Sequence, residues 1–164
     1  MPYPTLTSNL HYEAELVVAI SKGGKNIKPE NAEHHIYGYA VGLDMTRRDL
    51  QAEMKKKQWP WSIGKGFDFS APMGPITIKE EAGDVGNAEI YLQVNGVEKQ
   101  RSSTSKFITG ISEIIHHISL GWELQPGDLI FTGTPEGVGP VVPGDLMTLG
   151  VTGLSTLNVR VEKD

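Results

Sequence analysis

Short apolar runs separated by closely spaced turn residues constrain this chain more than any other feature. Gly23-Gly24, Asn95-Gly96, Pro126-Gly127, Pro143-Gly144 and Gly153 cut it into segments that mostly suit strands rather than long helices. Asn-Gly accepts the positive φ of a tight hairpin turn, so the run from Ala88 to Val94 is expected to fold back there. Two longer runs alternate with period two. Between His11 and Ser21, the residues Ala14, Leu16, Val18 and Ile20 share one side, and His11, Glu13, Glu15 and Val17 share the other. Between Ile36 and Met45, the residues Tyr37, Tyr39, Val41 and Leu43 oppose Gly38, Ala40, Gly42 and Asp44. Both runs read as strands.

Helices are expected in three places. Pro29 to His35 has Pro in its first turn. Thr46 to about Lys57 is opened by Thr46-Arg47-Arg48-Asp49, which resembles a capping box, and is closed by Pro60. Gly110 to Leu120 carries Ile111, Ile114, Ile115 and Ile118 at helical spacing. Trp59 to Gly74 reads as a loop. Further strands are expected at Ile76–Ile78 and Asp128–Thr132, with a closing antiparallel pair around Gly153. Strands outnumber helices and most connections are hairpin-like, which predicts an α+β, mainly β fold in one domain over residues 1–164.

Composition narrows the function. Hydrophobic residues make up 38% of the chain, enough for a core, while 19 Gly and 10 Pro supply the turns. Fifteen Lys and Arg against 20 Asp and Glu leave a net charge of −5, which removes the attraction that nucleic acid or anionic lipid requires. The absence of Cys excludes disulfides, thiolate metal sites and a Cys nucleophile, and suits a cytoplasmic location. No apolar run is long enough to cross a bilayer, and Met1-Pro2-Tyr3-Pro4 lacks a signal-peptide pattern. Phosphate-loop, dinucleotide and G-x-S-x-G signatures are missing, which disfavours nucleotide and serine-hydrolase chemistry.

The chemistry concentrates around Glu13-Ala14-Glu15. On a strand these two side chains project to one face, with Cβ atoms roughly 6.5–7 Å apart. Buried and unpaired, such carboxylates would cost several kcal/mol each. A hard divalent cation between them removes that cost, whereas a solvated strand face needs no cation. Asp44 adds a third carboxylate on a face of Gly38, Ala40 and Gly42, small residues that suit either an approaching ligand or close packing. His11 is either a fourth ligand or a neighbour bonded to a ligand carboxylate or to backbone. The pairs His34-His35 and His116-His117 diverge on helices and read as solvated or capping residues. Arg48 and Gln51 lie one helical turn apart, where they could fork onto a carboxylate and meet a carbonyl, or could form an exposed face. Lys65 sits in a glycine-flanked loop, and Thr132-Gly133-Thr134 follows a strand where backbone N–H groups can cradle an anion.

Taken together, His11-Tyr12-Glu13-Ala14-Glu15-Leu16, the run Gly38 to Gln51, Lys65-Gly66-Phe67-Asp68 and the run Thr132 to Gly139 resemble the fumarylacetoacetate hydrolase (FAH) family. The match lies nearest its acylpyruvate and fumarylpyruvate hydrolase branch. The resemblance implies an FAH-type mixed β-sandwich roll with a few short helices, usually a homodimer. It implies Mg²⁺ or Mn²⁺ on Glu13, Glu15 and Asp44, and Lys65 as a catalytic, substrate-contacting residue. Arg48, Gln51, Gly133 and Thr134 are implied to hold a small 2-oxo or 1,3-diketo acid, whose C–C bond is cleaved by water. Family members usually carry a preceding lid segment with an Arg-Asn-Tyr-type motif and a base His. No such motif occurs in these residues, so a domain lacking the lid is expected.

Overall fold

The computed structural model describes residues 1–163. In chain order, β1 (Leu10–Tyr12) and β2 (Ala14–Ile20) are followed by a 3-10 segment (Pro29–His35) and by β3 (Ile36–Leu43) and β4 (Thr46–Arg47). Next come α1 (Arg48–Lys57), α2 (Ser62–Lys65) and β5 (Thr77–Ile78). The second half holds β6 (Glu89–Val94), β7 (Val97–Ser103), α3 (Ile111–Gly121) and β8 (Leu129–Phe131), then β9 (Gly139–Val141), β10 (Leu146–Val151) and β11 (Leu157–Arg160).

Alternation decides how these strands layer. Leu16, Val18 and Ile20 of β2 and Tyr39, Val41 and Leu43 of β3 enter one core with Ile90, Leu92 and Val94 of β6 and Met147, Leu149 and Val151 of β10. The sheet β5-β3-β2-β8 therefore packs against the sheet β11-β10-β6-β7. Burying each large apolar side chain contributes about 1.5–3 kcal/mol. A smaller sheet, β4-β1-β9, borders them, and every ladder is antiparallel among the described residues. One isolated parallel bridge joins Pro2 to Glu162. The fold is thus α+β, mainly β, as expected. The Asn95-Gly96 hairpin forms with φ of 52° and 78°, the double left-handed turn that this dipeptide favours. Ile115 is fully buried on α3, with Ile111, Ile114 and Ile118 packed around the core.

Three local expectations change. The run from His11 to Ser21 is two strands rather than one: β1 pairs with β4 and β9, and β2 pairs with β3 and β8. Side-chain alternation survives this corner, so the sequence pattern cannot reveal that the ladder partner changes at Glu13. The capping box does not form either. Thr46 lies in β4 opposite His11, while the Asp49 carboxylate accepts from the Thr7 hydroxyl at 2.5 Å and the Ser8 N–H at 3.0 Å. Asp49 thereby ties the N-terminal segment down instead of capping a helix. Finally, Lys65 ends the short helix α2 rather than lying in a loop. Among the described residues, no helix is long and apolar enough to cross a membrane.

Candidate metal centre and substrate site

The corner at Glu13 brings the three carboxylates together. Glu15 stands opposite Gly42 in the β2–β3 ladder, and the Asp44 N–H donates to the Glu13 carbonyl at 2.9 Å, which holds Asp44 beside the corner. One oxygen from each of Glu13, Glu15 and Asp44 lies within 4.8 Å of the other two. The small residues of β3 serve close packing: a Cβ on Gly42 would come within 2.7 Å of both Phe131 and Val17. The room for an ion is therefore at the strand end, above Gly42, rather than across the sheet face.

Two cations and a backbone donor organise the cluster. Lys65 Nζ donates to Glu13 at 2.7 Å and to Asp44 at 2.5 Å. Arg48 donates through Nη2 to Glu13 at 2.5 Å, through Nη1 to Gln51 Oε1 at 2.6 Å and through Nε to His11 Nδ1 at 3.3 Å. The Gly133 N–H donates to Glu15 at 2.8 Å, whereas the Thr132 N–H donates to the Leu16 carbonyl, so one backbone group of this segment rather than a cradle meets an anion, a carboxylate of the chain itself. Gln51 is buried, and its amide oxygen is spent on Arg48, which leaves its NH₂ group as a donor. His11 takes neither of its two sequence readings, because Arg48 stands between it and Glu13. It is absent from the carboxylate cluster, accepts from Arg48 and bonds Asn9 Oδ1 at 3.0 Å.

The protonation pattern follows from burial. Burial pushes the Glu15 carboxyl up to about 7, with Asp44 and Glu13 adding like charge and the Gly133 N–H only partly opposing. Burial also raises Asp44, against its bond to Lys65. Glu13 feels the same burial, but hydrogen bonds from Lys65 and Arg48 outweigh it and hold its pKa below the ordinary value. Burial and the Arg48 charge depress His11, which is neutral near pH 7. An all-oxygen donor set with surplus, partly protonated negative charge fits a hard divalent cation such as Mg²⁺ or Mn²⁺.

The other candidate residues have simpler roles. Lys55 and Lys57 are exposed and stack over Trp61 and Trp59, both about half-exposed. His35 and His116 bond the backbone carbonyls of Lys22 and Ile27, each at 2.7 Å, and stay away from the cluster. A groove of about 710 Å³, lined by Phe107, Ile114, Phe131 and the turn 132–136, opens beside Gly133 and Thr134.

One residue escaped the sequence reading. Gln100 is only 1% exposed, in a strand whose other residues are exposed or half-buried. Its amide links the Ala14 N–H, between the two glutamates, to Thr134 and Pro135. Regular pairing from the Asn95-Gly96 turn would set Lys99 opposite Leu92; a bulge sets Gln100 there instead. Nothing in the local pattern signals that extra residue. Gly137, at φ +96°, lies against the bulge, since a Cβ there would meet the Lys99 carbonyl at 2.2 Å.

A mainly β fold with three carboxylates placed to hold a metal ion, flanked by a half-buried lysine and arginine, defines a class of enzymes acting on small molecules. The chain belongs to the fumarylacetoacetate hydrolase family: residues 1–162 match the model of the fumarylacetoacetate (FAA) hydrolase C-terminal domain. It is 46% identical over 165 residues to a fumarylpyruvate hydrolase of a Ralstonia species, covering 97% of this chain and 82% of that one. It is 41% identical over 160 residues to the mitochondrial oxaloacetate tautomerase FAHD1 of Bos taurus, covering 98% of this chain and 72% of the relative. The crystal structure of fumarylpyruvate hydrolase from Pseudomonas aeruginosa in complex with Mn²⁺ and pyruvate superposes with a TM-score of 0.98 at 51% identity, covering all of this chain and 70% of that one.

Proposed function

We propose that the chain hydrolyses a C–C bond in acylpyruvate-type 1,3-diketo acids, fumarylpyruvate to fumarate and pyruvate above all, as a cytoplasmic homodimer using Mg²⁺ or Mn²⁺. The observation that carries this reading is the convergence of Glu13, Glu15 and Asp44 beneath Lys65 and Arg48. It is supported by 51% identity to a fumarylpyruvate hydrolase whose complex holds Mn²⁺ and pyruvate.

Held by the three carboxylates, the cation would act as a Lewis acid on the oxygens of the 2-oxo acid. The rest falls to the chain. Arg48 locks Glu13 and turns the Gln51 NH₂ outward, a donor for a substrate oxygen. Gly133 fixes Glu15, and Thr134 next to it hydrogen-bonds the carboxylate end of the keto acid. Water adds to the distal ketone carbon, the C–C bond breaks, and its electron pair leaves with the pyruvate part as an enolate. Lys65, already an ammonium donor in the cluster, stabilises that charge until carbon is protonated.

A second reading is keto–enol isomerisation or decarboxylation of a related 2-oxo acid. It is favoured by 41% identity to the mitochondrial oxaloacetate tautomerase FAHD1 of Bos taurus and 40% identity to the mitochondrial oxaloacetate decarboxylase of Dictyostelium discoideum. Incubation with fumarylpyruvate and with oxaloacetate, each with and without chelator, separates the two. Metal-dependent release of fumarate supports hydrolysis. Turnover of oxaloacetate alone replaces it with the second reading.

A further inference from the structure

The orientation of the Gln100 amide is fixed by two backbone groups. The Ala14 N–H donates to Oε1 at 3.0 Å, and the Pro135 carbonyl accepts from Nε2 at 2.9 Å. An N–H can only donate and a carbonyl can only accept, so the amide cannot be turned over. The same NH₂ group donates to Thr134 Oγ1 at 2.8 Å. The Thr134 oxygen is therefore the acceptor in that bond, and its own proton is left to donate elsewhere. No described residue receives it. A hydrogen-bond polarity set by a backbone N–H between the two glutamates thus runs through Gln100 and out through the Thr134 hydroxyl.

We propose that Gln100 is a positioning residue that takes up one lone pair of Thr134 and turns its proton toward the ligand, and that this makes the site favour a carboxylate over a carboxamide at the keto-acid end. The inference rests on the proposed function, in which Thr134 is a ligand contact. A carboxylate offers Thr134 an acceptor oxygen whichever way it lies. A carboxamide has one oxygen, and presenting it to Thr134 would turn the NH₂ toward the cation that Glu13, Glu15 and Asp44 would hold. Gln100 itself is buried and touches no ligand. It acts only through the direction of one hydroxyl.

The test is calorimetric, on the Mg²⁺-loaded protein, with pyruvate and pyruvamide as probes. The readout is the ratio of their dissociation constants in wild type, Gln100→Met, Thr134→Val and the double variant. Gln100→Met is expected to narrow the ratio about tenfold, the size of one charge-assisted hydrogen bond, while Mg²⁺ affinity stays within about threefold. Added to Thr134→Val it should change the ratio no further. Should Gln100→Met fail to fold, Gln100→Ala removes the same NH₂ donor and leaves room for water at the Ala14 N–H and the Pro135 carbonyl. Introduced into the wild type and into the Thr134→Val variant, it must narrow the ratio only in the former. A ratio moved by Thr134→Val but by neither Gln100 variant overturns the inference and leaves the ligand contact standing. A ratio unmoved by Thr134→Val overturns the contact itself. Loss of Mg²⁺ binding in both Gln100 variants would mean a purely structural role and would also overturn the inference.

Discussion

Acidification is expected to weaken divalent-cation binding through one buried carboxyl. Glu15 carries a pKa of about 7 in the metal-free protein because burial and two neighbouring carboxylates disfavour its charge. A cation requires it ionised, so binding must expel its proton wherever the free protein still holds it. With a pKa of about 7, the apparent dissociation constant for Mg²⁺ should rise about tenfold between about pH 8 and about pH 6. Close to nine-tenths of a proton should be released per ion at about pH 6 and about one-tenth at about pH 8. Asp44, also raised, acts in the same direction, and Glu13, lowered, is already ionised across this window. The same shift has an opposite sign for the metal-free fold. A raised carboxyl contributes stability that is full below its unfolded value and lost as pH climbs through about 7. Titration calorimetry in two buffers of different ionisation heat measures affinity and proton release together. Equal affinity at both ends of the window, with no proton exchanged, would refute the assignment of Glu15 as a buried ligand.

Two further outcomes follow from contacts around the cluster. Lys65→Met should cut turnover by at least about a hundredfold, because the enolate loses its ammonium partner, and should leave Mg²⁺ affinity equal or tighter, because Glu13 and Asp44 lose a competing cation. Steady-state kinetics beside calorimetry checks it, and weaker Mg²⁺ binding would contradict it. Gly137→Ala should cost about 1–3 kcal/mol or more in chemical denaturation, since the residue combines a φ of +96° with a backbone oxygen 2.2 Å from the added Cβ. An unchanged denaturation midpoint would remove Gly137 as the residue seating the 132–139 turn.

What the sequence revealed depended on how local the cause was. β2, β3 and the Asn95-Gly96 hairpin were legible because alternation and turn chemistry are set within a few residues. Glu13, Glu15 and Asp44 were legible as a cluster because they ride on those strands. The corner at Glu13 was not, since changing a ladder partner leaves the side-chain alternation intact. Asp49 looked like a cap because its spacing fits one; a tertiary bond to Thr7 and Ser8 claimed it instead. Lys65 was found by type but misplaced, as four residues of helix leave too little periodicity to read. Gln100 was invisible for a further reason: only a bulge, which lies against Gly137, turns it inward.

Three acidic side chains, from one strand corner and one strand end, are held to share a single hard cation. Manganese titration of wild type and Asp44→Ala, with circular dichroism of both, tests this most directly. Saturable binding in the wild type, weakened at least about a hundredfold in a variant with unchanged spectra, is the expected result. Undiminished manganese affinity in the folded Asp44→Ala protein would contradict it.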